Sequence, residues 1–373
     1  MADLERRRLG ADGPEITTVG FGAWAAGGGD WAFGWGPQDD EHSVAAMRHA
    51  VEQGVSWIDT AAVYGLGHSE EVVRRALEPF SDADRPLVFS KCGMVWDEDD
   101  RQAEPGKVLH PDNVRWECES SLRRLGVDRI DLFQCHWPDE TDVPVEDSWG
   151  AMQELVAEGK VRWAGVSNFD VDLLTRCAAV GPVTSLQPPF SLIRRDAAAD
   201  VLPWCEANGV GVIVYSPMQA GLLSGTFTAE RAAALPEDDW RKDDWNFTEG
   251  LERNLAFVER LRPLAEARGV SVGALAIAWT LAWPALSGAI VGARGPEQVD
   301  GWLPAGGLAL TPAELDAIEA ALDETGVGDG PRRPPGPRSS PASGAQDAPE
   351  VREGQAPEAP GWWRRVRGRW SSA

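Results

Sequence analysis

Trp57-Ile58-Asp59-Thr60-Ala61-Ala62-Val63-Tyr64-Gly65 ends a short apolar strand in a carboxylate and sets a phenol five residues further on. Residues 55–58 read as a buried strand, Gly54 ends the helix before it, and Ser69-Glu70-Glu71 opens the next helix with a hydroxyl and two acids. Asp59 and Tyr64 therefore fall on a strand-to-helix connection. Lys91 closes the next apolar run, Leu87-Val88-Phe89-Ser90, and His136 closes the one after, Leu132-Phe133-Gln134-Cys135. Taken singly, each of these residues is explained as a turn former or a packed side chain. Tyrosine occurs twice in the chain, lysine four times and histidine five times, so their recurrence at successive strand ends marks a candidate site. A phenol in such a loop donates a proton more readily when a cation lowers its pKa from about 10. Lys91 is the available cation.

Outward from this stretch, helices at 43–52, 69–78, 112–124 and 145–158 alternate with strands ending near Asp59, Ser90 and Cys135. Further strands are expected at 161–166, 183–187, 209–215 and 288–291, and residues 8–22 read as a hairpin leading into the first strand. Such alternation calls for a parallel α/β sheet. Eight strands fit a closed (β/α)8 TIM barrel, and the G-x-G-x-x-G fingerprint of an open dinucleotide-binding sheet is missing after the first strand. In a barrel the chemistry gathers at the carboxyl ends of the strands, where the scarce residues fall.

The constellation resembles the aldo-keto reductase superfamily. The likeness is carried by Asp59-Thr60-Ala61 through Tyr64-Gly65, Ser69-Glu70-Glu71, Ser90-Lys91-Cys92-Gly93 and His136-Trp137-Pro138-Asp139, and it extends from about Arg8 to Asp323. It is nearest to the branch that includes the potassium-channel β-subunits and bacterial reductases of small aldehydes and sugars. The resemblance implies a catalytic tetrad of Asp59, Tyr64, Lys91 and His136, a barrel floor closed by the N-terminal hairpin, and NADPH as cofactor with no metal. It also implies that Ser167, Asn168 and Gln187 bind the nicotinamide carboxamide and that Tyr215 stacks on the ring. Ser216, Pro217, Leu222, Ser224 and Gly225 match the loop around the pyrophosphate. The last strand enters Gly292-Ala293-Arg294-Gly295-Pro296-Glu297-Gln298, where a helix start behind an Arg suits a phosphate. Here the resemblance gives Arg294 the 2′-phosphate of NADP, with Gln298 beside the adenosine. Trp302 stands where the family usually has Asn for the adenine amino group.

Three tryptophans, Trp24, Trp96 and Trp137, lie near strand ends and are candidates for an aromatic substrate pocket. The glycine-rich loop Gly27-Gly28-Gly29, flanked by Trp24, Trp31 and Trp35, is too irregular for a phosphate cradle and suits a pocket wall. The acidic, Trp-bearing segment 237–245 reads as a solvated loop that folds over the cofactor, before a helix starting near Asn254. An apolar helix is expected at 273–283.

A formal charge of −24 argues against general nucleic-acid binding, which needs a basic face. The five cysteines form no C-x-x-C pair, so neither a disulfide framework nor a zinc site is indicated. No run of about 18 apolar residues appears, and the first residues lack the apolar core of a signal peptide, so a cytoplasmic location is expected. The barrel is assigned to residues 1–324. Residues 325–373 read as a disordered Pro/Gly/Arg-rich tail with eight Arg against five acids, leaving about −27 for the remainder. Its end, Trp362-Trp363-Arg364-Arg365-Val366-Arg367-Gly368-Arg369-Trp370, suits an unstructured end on the protein's own acidic surface or a weak contact with anionic membrane. The function these features point to is reduction of a small carbonyl or sugar substrate by NADPH, with Tyr64 as general acid/base. The alternative is an NADPH-binding redox-sensing regulatory subunit with slow turnover.

Overall fold

The computed structural model describes residues 4–236 and 239–335. A hairpin of β1 (Arg6–Arg8) and β2 (Glu15–Thr17) precedes β3 (Val19–Gly22), β4 (Trp57–Asp59) and β5 (Leu87–Cys92). A short antiparallel pair, β6 (Met94–Val95) and β7 (Gly106–Lys107), stands beyond β5. It is followed by β8 (Ile130–Cys135), β9 (Val161–Ser167), β10 (Ser185–Gln187), β11 (Gly211–Val214) and β12 (Leu286–Gly292). β3, β4, β5, β8, β9, β10, β11 and β12 pair in parallel and close on themselves, with β12 returning to β3. These strands are buried on both faces, which is why they read as continuous apolar runs.

Inside the barrel, Leu9 and Ile16 of the hairpin region meet Trp57, Phe89, Leu132, Ile213 and Ile290, which seals the floor as the hairpin reading anticipated. Glycines on two neighbouring strands make room for the Trp57 indole. A Cβ on Gly20 would lie 2.1 Å from that ring and one on Gly288 3.0 Å from it. Trp57 Nε1 donates to the Thr17 carbonyl at 2.8 Å, so the indole N–H is satisfied in the dry interior.

The helices form the outer layer. Val272–Leu281 is buried along its whole length and apolar on every side, because it is enclosed by the barrel and by neighbouring helices. Pro312–Thr325 begins with a reciprocal capping box between Thr311 and Glu314. The helix expected from near Asn254 starts instead at Leu251, since Leu251 packs against the core and draws one more turn into the helix. No single helix among the described residues is long and apolar enough to cross a membrane.

The packed chain runs on past residue 325, beyond the boundary expected for the tail. Val327 is fully buried, and the buried Arg195 guanidinium donates to the carbonyls of Leu192, Val327 (3.2 Å) and Gly328 (3.0 Å). Burial lowers the Arg195 pKa to about 10. Gly328 and Gly330 have φ of +59° and +93°, and a Cβ at either would press within 2.4 Å and 2.8 Å of backbone at Ile193 and Arg195. The glycines that signal loss of structure in the sequence are therefore what lets the chain lie against this segment. The Trp/Arg cluster at 362–370 is outside the described residues.

Candidate active site

The carboxyl ends of the barrel strands open into a cavity of about 760 Å³. Asp59 ends β4, Tyr64 stands in the following turn, Lys91 lies on β5 and His136 follows β8. β4 pairs with β5 and β5 with β8, so three neighbouring strands bring the four groups together. Lys91 is fully buried, and its Nζ donates to Asp59 Oδ1 at 2.5 Å, to the Thr60 carbonyl at 2.9 Å and to Tyr64 Oη at 3.2 Å. An ammonium has three protons and no lone pair. All three are taken up, the phenol oxygen accepts, and the phenol's own proton is left for another acceptor.

Burial pushes the Tyr64 phenol above its ordinary value; Lys91 opposes that shift and Asp59 adds to it. The expectation that Lys91 would bring the phenol down is thus reversed in the net balance, because removal from water outweighs one cation that is itself shared with Asp59. Burial pulls the Lys91 ammonium down, but Asp59 and Tyr64 outweigh it and hold the pKa above its usual range. Burial and then Lys91 keep His136 well below the usual imidazole value, so the ring is neutral. It meets the Tyr64 ring edge-on at 5.6 Å.

The second carboxylate oxygen of Asp59 accepts from Gln134 Nε2 at 3.3 Å and Gln187 Nε2 at 3.1 Å, and Gln187 Nε2 also donates to Gln134 Oε1 at 3.1 Å. The anion orients both amides and leaves the Gln187 side-chain oxygen Oε1 for the cavity. Gln134 was not singled out in the sequence, although its signal was there. Two residues beyond the inward-facing Leu132, strand alternation turns it into the barrel.

Ser167, Asn168, Gln187, Tyr215, Ser216, Pro217 and Ser224 line the same cavity, as do Gly292, Ala293, Arg294 and Gln298. Leu222 and Gly225 stand behind it: Leu222 belongs to the core, and a Cβ on Gly225 would meet Val272 at 2.9 Å. The polar groups are already knitted together. Tyr215 Oη donates to Asn168 Oδ1 at 2.9 Å, Asn168 Nδ2 donates to the His136 carbonyl and to Ser167 Oγ at 3.0 Å each, and Ser167 Oγ donates to the Gln187 carbonyl at 2.8 Å. Asn168 and Ser216 have φ of +63° and +55°, backbone strain concentrated where the cavity needs its shape.

Trp24 and Trp137 line the cavity, whereas Trp96 packs in the adjoining aromatic cluster without facing it. Trp31, Phe33 and Trp35 add to the aromatic wall, Met94 adds an apolar thioether, and Arg231 and Arg241 reach in from the segment after β11. Arg241 is gripped by both oxygens of Asp239, at 2.9 and 2.6 Å, and lies 4.9 Å from the Trp35 ring. Arg294 donates to the Trp35 carbonyl. Burial, then Arg241 and Arg231, hold the Arg294 pKa below its usual value, a sign of like charges gathered at one end. Trp302 is buried and presents its ring to the same cavity. A flat wall at Tyr215 near the tetrad and clustered guanidiniums at the other end fit a ligand that is planar at one end and anionic at the other. This is the shape of a nicotinamide dinucleotide. Among the described residues no group of three His, Cys, Asp or Glu is placed to hold a metal.

Behind β5, Glu117 Oε1 accepts from the Gly93 amide at 3.0 Å and from Asn113 Nδ2 at 2.5 Å, while Oε2 has no partner among the described residues. Burial pushes this carboxyl up to about 8. Between the unfolded value near 4.5 and about 8 the folded state holds a proton that the unfolded state has lost, so stability falls as pH rises through that window. The slope approaches about 1.4 kcal/mol per pH unit. Glu117→Gln keeps the acceptor and is expected to flatten this slope in urea unfolding measured from pH 5 to 9; an unchanged slope would assign it to other groups.

The Aldo/keto reductase family model matches residues 18–323. The aldo-keto reductase YhdN of Bacillus subtilis is 34% identical over 326 residues, 86% of this chain and 95% of that protein. The NADH-specific methylglyoxal reductase of Escherichia coli is 32% identical over 307 residues, covering 79% and 91%. Among solved structures, the glycerol dehydrogenase AKR11B4 from Gluconobacter oxydans superposes with a TM-score of 0.78 at 36% identity, covering 91% of this chain and 100% of that one. Closed barrel, family match and curated relatives agree: this chain belongs to the aldo-keto reductase family, oxidoreductases that act on carbonyl and alcohol groups with a nicotinamide dinucleotide.

Proposed function

We propose that the site reduces the carbonyl of an aldehyde or ketone with NADPH, and that Tyr64 delivers the proton. The observation that carries this reading is the Lys91 ammonium, whose three hydrogen bonds leave the Tyr64 proton free at the cavity wall. Reduced nicotinamide, when bound, supplies a hydride to the carbonyl carbon. The carbonyl oxygen takes the Tyr64 proton, and solvent returns one to the phenol. Burial keeps that phenol protonated at neutral pH, which suits a donor. His136, kept neutral by burial, retains one ring N–H and would donate it to the same oxygen, so developing negative charge meets two donors. Asp59 keeps Lys91 charged and in place. Ser167, Asn168 and the Gln187 side-chain oxygen would hold the carboxamide, Tyr215 the ring face, Ser216 and Ser224 the phosphates on a loop whose turn Pro217 fixes, and Gln298 and Trp302 the adenosine. Initial rates of NADPH and NADH oxidation across aldehydes and ketones, and of the reverse reaction with alcohols, test the reading; turnover in neither direction would remove it.

The choice of NADPH rests on Arg231, Arg241 and Arg294 sharing one end of the cavity, where Arg241 has the nearby carboxylate of Asp239 as its partner. Arg294→Ala is expected to weaken NADPH binding far more than NADH binding, since a charge-assisted hydrogen bond is worth about 1.5–3 kcal/mol. Equal losses, measured as dissociation constants, would point to a cofactor choice like that named for the E. coli relative.

A further inference from the structure

We propose that Gln134 is a positioning residue for hydride transfer: it fixes the Gln187 side chain against Asp59, so that the groups holding the nicotinamide and the groups delivering the proton are set as one unit. The inference rests on the carbonyl-reductase reading above and concerns a fully buried residue behind the reacting groups.

A buried amide costs stability unless it is bonded, and an aliphatic side chain fills such a place without that cost. Gln134 pairs in register with Lys91 on β5 and with Gly165 on β9. Because Gly165 has no side chain, the amide passes over β9 and reaches Gln187 on β10. A Cβ on Gly165 would lie 3.3 Å from Gln134 Cγ and 2.2 Å from Ser185 Oγ. Across that gap Gln134 Oε1 accepts from Gln187 Nε2, while Gln134 Nε2 donates to Asp59 Oδ2, the oxygen to which Gln187 Nε2 also donates. Asp59 Oδ1 is left for Lys91. Each carboxylate oxygen thus serves one half of the site, Oδ1 the cation beside Tyr64 and Oδ2 the amide that faces the cofactor. The bonding has one sense. A primary amide carries two N–H donors, and both of those on Gln187 meet acceptors, Asp59 Oδ2 and Gln134 Oε1, so its oxygen is turned to the cavity. Turning the amide over would set that oxygen against a carboxylate and a carbonyl. Asp59 alone would hold one N–H and leave the amide free to swing about that bond. Gln134 Oε1 is the second point, which fixes the plane.

The test uses the full chain with Gln134→Met, which keeps the length of the side chain and removes its donor and acceptor, and with Gln134→Glu, which restores both whenever the introduced carboxyl is protonated. NADPH affinity is read from quenching of tryptophan fluorescence, and hydride transfer from single-turnover oxidation of bound NADPH by a reactive aldehyde, between about pH 5 and pH 9. Gln134→Met is expected to weaken NADPH binding and to slow hydride transfer, each by roughly three- to tenfold at every pH, as suits the loss of neutral hydrogen bonds. In Gln134→Glu, burial and the Asp59 charge raise the introduced carboxyl above its ordinary value of about 4.3. Its protonated form donates to Asp59 and accepts from Gln187, so the rate relative to wild type should be near one at the acidic end and fall as pH rises and the donor proton is lost. A merely structural role gives no such titration. Wild-type affinity and rate in Gln134→Met overturn the proposal, as does a Gln134→Glu variant depressed by one factor across the whole range. If the wild type oxidises no bound NADPH, the reading of the reaction fails, and Gln134 is judged by affinity alone. Weaker NADPH binding in Gln134→Met, regained in Gln134→Glu at acidic pH, then supports its role, and equal binding overturns it.

Discussion

Tyr64→Phe is expected to slow single-turnover oxidation of bound NADPH by ~10²- to 10⁴-fold, the range typical of lost general acid catalysis, while NADPH still binds. The ring keeps its place beside Trp24 and Trp31, and only the oxygen between Lys91 and the cavity is lost. Single turnover is the measurement to use because it reports the chemical step even where cofactor release limits the steady state. Wild-type rates in this variant would sink the mechanism. Lys91→Met belongs in the same series. It removes the cation that favours phenolate while burial and Asp59, which raise the phenol pKa, remain. The limb of the alcohol-oxidation pH profile that reports Tyr64 should therefore move to higher pH.

Truncation after residue 335 and truncation after Thr325 are expected to differ sharply. The first leaves every contact of the Arg195 guanidinium among the described residues intact, and the sequence of 336–373 is Pro-, Gly- and Ser-rich with little to bury, so melting temperature and specific activity should stay near those of the full chain. The second takes away the carbonyls of Val327 and Gly328 and the buried Val327 side chain, a loss of about 3 kcal/mol or more from charged hydrogen bonds and apolar burial together. Urea or thermal unfolding of the two proteins checks this directly. Equal stability would mean that residues 326–335 add nothing to the barrel.

The strand order, the three strand-end residues and Tyr64 in the turn after the first of them were legible because their signals are local. Apolar runs of four to six residues alternate with helical periodicity, and Asp59, Lys91 and His136 each sit where a run stops. Gln134 was harder to see, since a polar residue inside an apolar strand looks like a defect until strand alternation places it against Asp59. Contacts between distant loops left no mark at all. Nothing in Trp35 or Arg241 alone says that one lies on the other, or that Arg294 bonds to the Trp35 carbonyl. Composition misled at the C-terminal end, where Gly328 and Gly330 allow close backbone approach to Ile193 and Arg195. The net pKa of Tyr64 was likewise out of reach, because the degree of burial that decides it is a property of the folded barrel.

The run of contacts from Arg241 through Trp35 and Trp24 to Tyr64 joins the guanidinium end of the cavity to the reacting end. Two ligands occupying those ends would share one wall, so their affinities are thermodynamically linked. Whatever factor a ligand at the Arg241 end contributes to the affinity of a second ligand at the Tyr64 end, the second must return to the first in equal measure.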